Sequence, residues 1–323
     1  KREVVRIMTP GTAIDPQLVE SKEAVYLAAV CGRGDTYAAA FLELSAGQFS
    51  VTQSVSSDAW QKICDEVTSF APREIIFPTS MAGDVTASFG AESDNSLFSD
   101  ERSRSTGGSQ FALTPVDDRD FDVSECERLL KVQFGVKELT AYGLSERNAA
   151  IRAAGACLKY AHDTQRATAG HITDISYFEA ADSMILDAVT LRNLEIVDTR
   201  GENEKRTLFD VIDQNVTGMG SRLLRQWLLR PSLKRSEIQT RLAAVSELCD
   251  AIFRDKIRFL LKDVSDLERL IGRLNLGTAT PRDLIALNRS IAQAPKINET
   301  LSDARSLLLQ VLAENIFELP EIR

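Results

Sequence analysis

The stretch TLFDVIDQNVTGMGSRLLRQWLLRP, residues 207–231, constrains the fold of this chain more than any other. Its apolar residues recur at spacings of three and four, as they do on one face of an amphipathic helix. Thr207 and Thr217 stand where two successive helices would begin, because a threonine hydroxyl can accept a hydrogen bond from a first-turn amide. Gly218 and Gly220 leave space beside the second helix, which predicts that another backbone passes close to it. The stretch therefore predicts a helical corner on which later helices pack.

The second helix of this corner is predicted to have one buried and one solvated face. We expect Leu224 and Trp227 to lie in the core, with Arg222 and Arg225 on the opposite face. These arginines belong to a basic stretch that runs to Arg241. Two interpretations of this basic stretch are open: its cations contact phosphate, or they form a solvated helix face. The acidic residues around it favour the solvated face.

Composition bounds the class of protein. The 323 residues suffice for two domains, and 44% hydrophobic with 26% charged residues is typical of a soluble globular chain. No run approaches the about 20 apolar residues that a membrane span needs. The chain starts at Lys1 without a methionine or a signal peptide, which predicts an excised piece of a longer protein. Five dispersed cysteines without CxxC spacing predict reduced, mostly buried thiols, a cytoplasmic location and no structural zinc.

The first half of the chain predicts an α/β domain. Strands at 25–31, 37–44 and 48–53 are separated by short glycine-containing turns, a pattern typical of an antiparallel meander. A helix at 57–70 and a strand at 74–77 follow, and this order implies a right-handed crossover into a mixed sheet. The arrangement resembles the ribonuclease H fold. Nucleases of that fold hold two metal ions with carboxylates, but the first strand here carries none, so we expect no nuclease activity.

Several acidic residues are candidate metal ligands by residue type. Glu43 stands alone near the end of the second predicted strand, and we expect it to be solvated. Asp263, Asp266 and Glu268 lie where a helix would begin, where the helix dipole favours acids; a metal site is the weaker alternative. No GxxxxGK[ST] phosphate loop occurs in the chain. We therefore expect no catalytic, cofactor-binding or metal-binding residue in it. A net charge of −9 also argues against a self-sufficient DNA-binding domain, since such domains are usually basic.

The composition of the chain and its predicted secondary structure change near its middle. Residues 91–110 are rich in Ser, Gly, Asp and Glu and are predicted to form a mobile insertion or loop. Residues 165–173 are polar and contain a glycine, so we place a domain boundary there. Everything after the boundary is predicted to be helical. The expected fold class is α/β followed by all-α.

Seven pieces of the sequence resemble the MutS family of bacterial DNA mismatch-repair proteins. In the second half they are LRNLEIVDT (191–199), the stretch 207–231 and DVSDLERLIGRLNLGTATPRDL (263–284). In the first half they are VVRIMTPGT (4–12), YLAAV (26–30), FLELSAGQFSV (41–51) and KYAHDTQ (159–165). They occur in the family's order over nearly all of the chain, and the segment 91–110 departs from the family's pattern.

The resemblance implies that residues 1–168 are the connector domain, ribonuclease H-like without nuclease activity. Residues 169–323 would be the first sequence half of the helical core (lever) domain, with part of its apolar surface exposed. The chain would be a non-catalytic coupling segment of a sensor of mismatched double-stranded DNA. The intact protein would be a homodimeric ATPase using ATP and Mg²⁺, with its ATPase outside this chain. The alternative is a helical interaction scaffold unrelated to repair.

Connector domains of this family offer a docking surface to MutL, the next repair protein. We expect that surface on the helix predicted at 124–134, opened by a capping box of Ser124 and Glu127. Its apolar stripe would face the sheet, leaving Glu127, Arg128 and Lys131 toward solvent. Two interpretations remain open. The face is an ordinary solvated one with a Glu127–Lys131 pair, or Arg128 and Lys131 meet acidic or polar groups of MutL.

Overall fold

The structure, a computed structural model, describes five ranges of the chain: residues 6–15, 20–90, 111–184, 186–197 and 207–319. The predicted insertion at 91–110 lies outside them. The chain divides into two compact units. The first comprises Lys1–Val19 with Ala24–Ala180, and the second comprises Glu20–Glu23 with Ala181–Arg323.

The first unit is built on one mixed sheet. Its strands are β1 (Leu27–Arg33), β2 (Thr36–Glu43), β3 (Gln48–Val55), β4 (Glu74–Pro78), β5 (Ala112–Val116) and β6 (Ser176–Tyr177). They lie in the order β5-β4-β1-β2-β3-β6. The first three strands form the predicted antiparallel meander, and β4 pairs parallel with β1. β5 and β6 extend the sheet by parallel pairing with β4 and β3. The prediction of a mixed sheet is confirmed.

In the described ranges of this unit, the α-helices beside the sheet are α1 (Ala59–Phe70), α2 (Ala82–Phe89), α3 (Val123–Phe134) and α4 (Asn148–Gln165). The alanine-rich α4 packs on β1 and β2, because small side chains let it lie close to the strands. α1 packs on β2 and β3. The main neighbour of α3 is α4 rather than the sheet, so the prediction that the α3 stripe faces the sheet is wrong.

The contact of α3 with α4 passes through Gly155. A Cβ atom added to Gly155 would lie 2.3 Å from the Cβ and 2.6 Å from the Cα of Cys126. Such an approach leaves room only for glycine. Cys126 and Leu130 are the buried residues of α3, whereas Val123 and Phe134 are half-buried. The buried edge of α3 is therefore set by the close approach of α4.

Glu74 is a buried carboxylate that ties three parts of the first unit together. Its oxygens accept hydrogen bonds from the Gly11 amide (3.0 Å) and from the hydroxyls of Thr114 (2.7 Å) and Tyr160 (2.7 Å). These donors belong to the short 3-10 helix Pro10–Thr12, to β5 and to α4. Burial first, and then the neighbouring carboxylate, raise the pKa of Tyr160 to about 12. Its hydroxyl therefore stays protonated and donates at neutral pH.

Glu43 is not solvated, so that prediction is wrong. It is 0% exposed and accepts a hydrogen bond from the Ser45 hydroxyl at 3.0 Å. The reason is tertiary: β2 lies between β1 and β3, and both α1 and α4 pack on it. A strand in that place has little access to water, whatever the polarity of its last residue.

The cysteines follow their prediction among the described residues. All five are free, and Cys31, Cys64, Cys126 and Cys157 are buried, whereas Cys249 is exposed. Burial raises the pKa of Cys31 and Cys126 to about 12 and that of Cys64 to about 11. These thiols are therefore neutral and poorly nucleophilic.

The second unit is built from helices. They are α5 (Ala188–Asn193), α6 (Leu208–Ile212), α7 (Gly218–Leu229), α8 (Arg235–Glu247), α9 (Ala251–Leu261), α10 (Leu267–Asn275), α11 (Pro281–Ile291), α12 (Ala294–Leu301) and α13 (Leu307–Glu314). A small core joins α8 to α12 and α13. Large apolar side chains such as Ile252 and Phe259 are exposed, as expected. Among the described residues, no helix has the length and hydropathy needed to span a membrane.

The predicted helix starts of the organising stretch are confirmed, but its predicted core is not. Thr207 forms a capping box with Asp210, and the Thr217 hydroxyl accepts from the Gly220 amide at 3.1 Å. Trp227, however, is 37% exposed, with the Arg241 guanidinium 3.7 Å above its ring. Leu224 is only half-buried. The prediction that both lie in the core is wrong, because α7 buries a different face.

We expect Glu74→Gln to destabilise the first unit by about 1–3 kcal/mol, because the new amide nitrogen cannot accept from the buried donors. Trp60 of α1 is the remaining tryptophan in a Trp227→Phe background. Its fluorescence during urea unfolding then reports the first unit. The control Glu125→Gln breaks an exposed ion pair with Arg128 and should cost at most about 1 kcal/mol. Equal unfolding midpoints for the two variants would contradict the assigned role of Glu74.

Gly155→Ala should destabilise the first unit by about 1–3 kcal/mol, because the added methyl group overlaps Cys126. Helix propensity alone would predict that the same change raises the free energy of unfolding by about 1 kcal/mol. Gly83→Ala on α2 is the matched control, because a Cβ there meets nothing within 4 Å. Thermal unfolding should show the two substitutions acting in opposite directions. A stabilised Gly155→Ala variant would mean that α3 and α4 are not held this close.

Candidate functional site

The helix that carries the predicted partner surface is α3. Its N-cap is Asp122, whose carboxylate accepts from the amides of Ser124 (3.0 Å) and Glu125 (3.1 Å). The predicted capping box of Ser124 and Glu127 is therefore wrong: Asp122 opens the helix earlier and leaves Ser124 in the first turn. The helix ends at Phe134, as predicted, and Gly135 follows it with a φ of +65°, which suits glycine.

The structure places the three predicted site residues on the accessible side of α3. The Lys131 ammonium lies 2.7 Å from the Glu127 carboxylate, which is the predicted i, i+4 pair. Arg128 forms a second pair with Glu125, with Nε and Nη2 at 3.0 and 2.7 Å from the same carboxylate oxygen. Both pairs are substantially exposed. Neither cation is therefore committed to a buried partner.

A shallow groove runs along this side of the helix. Its lining residues are Ser124, Glu127, Arg128, Lys131, Val132 and Val136. Val132 is 69% exposed, so it adds an accessible apolar side chain to the groove. The two valines were missed by the sequence reasoning. The signal for Val132 was available, because it lies four residues after Arg128 and so shares its face.

The groove offers binding chemistry rather than catalysis. It combines two exposed ion pairs with an exposed apolar side chain, as the rim and centre of a small protein interface do. Across the ranges that the structure describes, no group of three or more His, Cys, Asp or Glu side chains could hold a metal ion. What the groove can do is contact a partner through charge and apolar area together.

A second cluster, which the sequence reasoning misassigned, lies in the helical unit around Arg222. Arg222 is 4% exposed, so the prediction that it lies on a solvated face is wrong. Its guanidinium contacts Asp266 with both terminal nitrogens (2.6 and 3.0 Å) and Glu268 with one (2.6 Å). Asp266 also caps α10 by accepting from the Arg269 amide at 3.3 Å. The predicted role of these acids at a helix start is confirmed, and they also neutralise a buried arginine.

The tetrapeptide Glu20–Glu23 lies against this cluster. The Ser21 carbonyl accepts from Arg222 at 2.9 Å. A Cβ added to Gly218 would lie 2.8 Å from that same carbonyl oxygen. The close backbone approach predicted from the glycines of the organising stretch is thus confirmed at Gly218, and the approaching backbone is Ser21.

Comparison with known proteins agrees with this architecture. The family model MutS domain II matches residues 25–173, and MutS domain III matches residues 189–322. The chain is 39% identical to the DNA mismatch repair protein MutS of Solibacter usitatus, over 100% of this chain and 35% of that protein. It is 33% identical to the one from Symbiobacterium thermophilum, over 100% and 35%. Against the one from Methanosarcina acetivorans it is 35% identical, over 100% and 36%.

The chain thus spans about a third of the length of these relatives. The two matched domains follow one another in the order of the two structural units, sheet first and helices second. This agreement leaves no support for the alternative of a scaffold unrelated to repair. The chain belongs to the MutS family of DNA mismatch-repair proteins.

Proposed function

We propose that this chain is a non-catalytic coupling segment of an ATP-dependent DNA mismatch sensor. The observation that carries the proposal is the consecutive match of MutS domains II and III over nearly the whole chain. Residues 1–168 are the connector domain, with a ribonuclease H-like fold, and residues 169–323 are the first sequence half of the helical core. The meander followed by parallel strands supports the connector assignment. Its buried Glu74 serves three protein donors, which supports a structural rather than a nuclease role.

The intact protein, in this proposal, is a cytoplasmic homodimer that binds mismatched double-stranded DNA and hydrolyses ATP with Mg²⁺. The relatives' name, DNA mismatch repair protein MutS, supports the DNA substrate. The role of this chain is mechanical: it joins the parts that read DNA, clamp it and hydrolyse ATP. A chain with a net charge of −9 has little electrostatic attraction for DNA by itself.

We expect the 323-residue chain on its own to bind DNA weakly and without preference for a mismatch, with an affinity that falls steeply as salt rises. Fluorescence anisotropy with a labelled duplex, with and without one mispaired base, at two salt concentrations measures both properties. A preference of about tenfold, or about 1.4 kcal/mol, for the mismatched duplex would contradict the coupling role.

The α3 groove is the proposed docking surface for MutL, with Glu127, Arg128 and Lys131 as its contact residues. The exposed Glu125–Arg128 and Glu127–Lys131 pairs are each worth about 0–1 kcal/mol, so a partner can replace them at little cost. Acidic groups of MutL would take over the two cations. The exposed Val132 of the same groove adds apolar contact.

Reversing both charges, Arg128→Glu with Lys131→Glu, should weaken capture of MutL by about tenfold or more, equivalent to about 1.4 kcal/mol, while the fold is retained. The measurement is MutL capture by the full-length protein with ATP and mismatched DNA. The matched control is Arg33→Glu with Lys62→Glu, which makes the same change in net charge at one exposed and one half-buried position of the same unit, as at Arg128 and Lys131. Normal capture by the α3 variant places the docking surface elsewhere. Equal loss in both variants assigns the effect to net charge.

A further inference from the structure

The tetrapeptide Glu20–Glu23 precedes β1 in the sequence, yet it groups with the helical unit. We name it the strap. Its side chains do not explain its position, because Glu20, Ser21 and Lys22 are exposed and Glu23 is only half-buried. No apolar side chain anchors it. The strap backbone accepts hydrogen bonds from α7 and α10 instead.

The backbone of the strap is held by two arginines. Arg222 donates to the Ser21 carbonyl at 2.9 Å. Arg269 donates from Nη1 to the Glu20 carbonyl at 2.9 Å and from Nη2 to the Glu23 carbonyl. Three of the four strap carbonyls thus accept from two arginines that are themselves at most 8% exposed. Because backbone carbonyls are recognised, these contacts depend on the path of the strap rather than on its side chains.

One side-chain contact of the strap reaches the elbow between α6 and α7. The Lys22 ammonium lies 2.6 Å from the carboxylate of Asp213, the residue that follows α6. The Ser221 hydroxyl of α7 donates to the same carboxylate at 2.9 Å. Burial would raise the pKa of Asp213, but the hydrogen bonds from Lys22, Asn215 and Ser221 hold it below its usual value. Asp213 is thus a charged acceptor that the strap shares with α7.

The two arginines that receive the strap differ in their other partners. Arg222 also contacts both carboxylates, Asp266 and Glu268. Arg269, by contrast, directs both terminal nitrogens to the strap. The two arginines therefore differ in role: Arg222 joins α7 to α10, and Arg269 holds the strap.

We propose that the strap docks reversibly on the surface formed by α7 and α10, with Arg269 as the residue that decides between the docked and undocked states. When docked, the strap contacts the end of α6 through Asp213, the start of α7 at Gly218, and α10. It thereby fixes the elbow between α6 and α7. When it leaves, its carbonyls and the Arg269 guanidinium become hydrated, and the elbow is released.

Trypsin cleavage after Lys22 measures undocking, because a protease requires a locally opened segment and its rate follows the open population. In the 323-residue chain, Arg269→Gln should raise the initial rate of cleavage at the Lys22–Glu23 bond by about tenfold, measured by mass spectrometry. Arg269→Lys keeps the charge but loses the planar fork, so its rate should be intermediate.

Arg273→Gln is the matched control. Arg273 lies one turn further along α10 and pairs with Asp283 instead of the strap. Its rate should remain that of the unaltered chain. Equal acceleration by Arg273→Gln would show general loosening of α10 and overturn the proposal. An unchanged rate in Arg269→Gln would also overturn it, as would cleavage of the unaltered chain as fast as of the urea-unfolded chain.

Gly218→Ala tests the strap from the opposite side and leaves both arginines in place. The added Cβ would lie 2.8 Å from the Ser21 carbonyl oxygen and should push the strap away, so cleavage after Lys22 should accelerate here too. Circular dichroism melting verifies that each variant is folded. Hydrogen exchange should also rise in the elbow, residues 213–221, in both Arg269→Gln and Gly218→Ala. Unaltered exchange there, with an accelerated cleavage, would refute the coupling of the strap to the elbow.

Discussion

A buried guanidinium must be surrounded by acceptors, and the described part of the helical unit is arranged around that requirement at Arg222. Asp266 and Glu268 approach it from the start of α10, and the Ser21 carbonyl approaches from the strap. Gly218 has no side chain because Ser21 passes there. A single charged side chain on α7 thus contacts both the start of α10 and a distant piece of the chain.

The sheet unit is organised in the same way, but around a buried acceptor instead of a buried donor. Glu74 is a buried acceptor that gathers donors from three separate parts of the chain. Small residues do the remaining positioning. The alanines of α4 bring it close to the strands, and Gly155 brings α3 close to α4. The buried edge of α3 is thereby fixed, and its opposite edge, with Arg128 and Val132, is left on the surface.

These two kinds of contact suit a coupling role. A partner can bind the α3 groove at small cost, because the ion pairs it replaces are exposed and weak. The α3–α4 contact fixes the position of this surface, so a partner bound there contacts a helix that is closely packed on its neighbour. The strap is the reverse case: its position depends on hydrogen bonds that water can replace. In the proposed function, this chain acts through its surfaces and joints, and its buried carboxylates and thiols serve the fold.

What the sequence by itself determined are the features that depend on near neighbours. The meander, the caps at Thr207 and Thr217 and the C-terminal glycine of α3 follow from alternation, capping chemistry and backbone freedom within a few residues. The sequence also predicted the space at Gly218, but it did not predict that Ser21 fills it. Only the tertiary structure decided that Glu43 and Arg222 are buried and Trp227 is exposed. The partners responsible, such as Asp266 and Ser21 for Arg222, are far away in the sequence. Periodicity reports which face of a helix is apolar, but burial of a charge depends on partners that only the fold brings together.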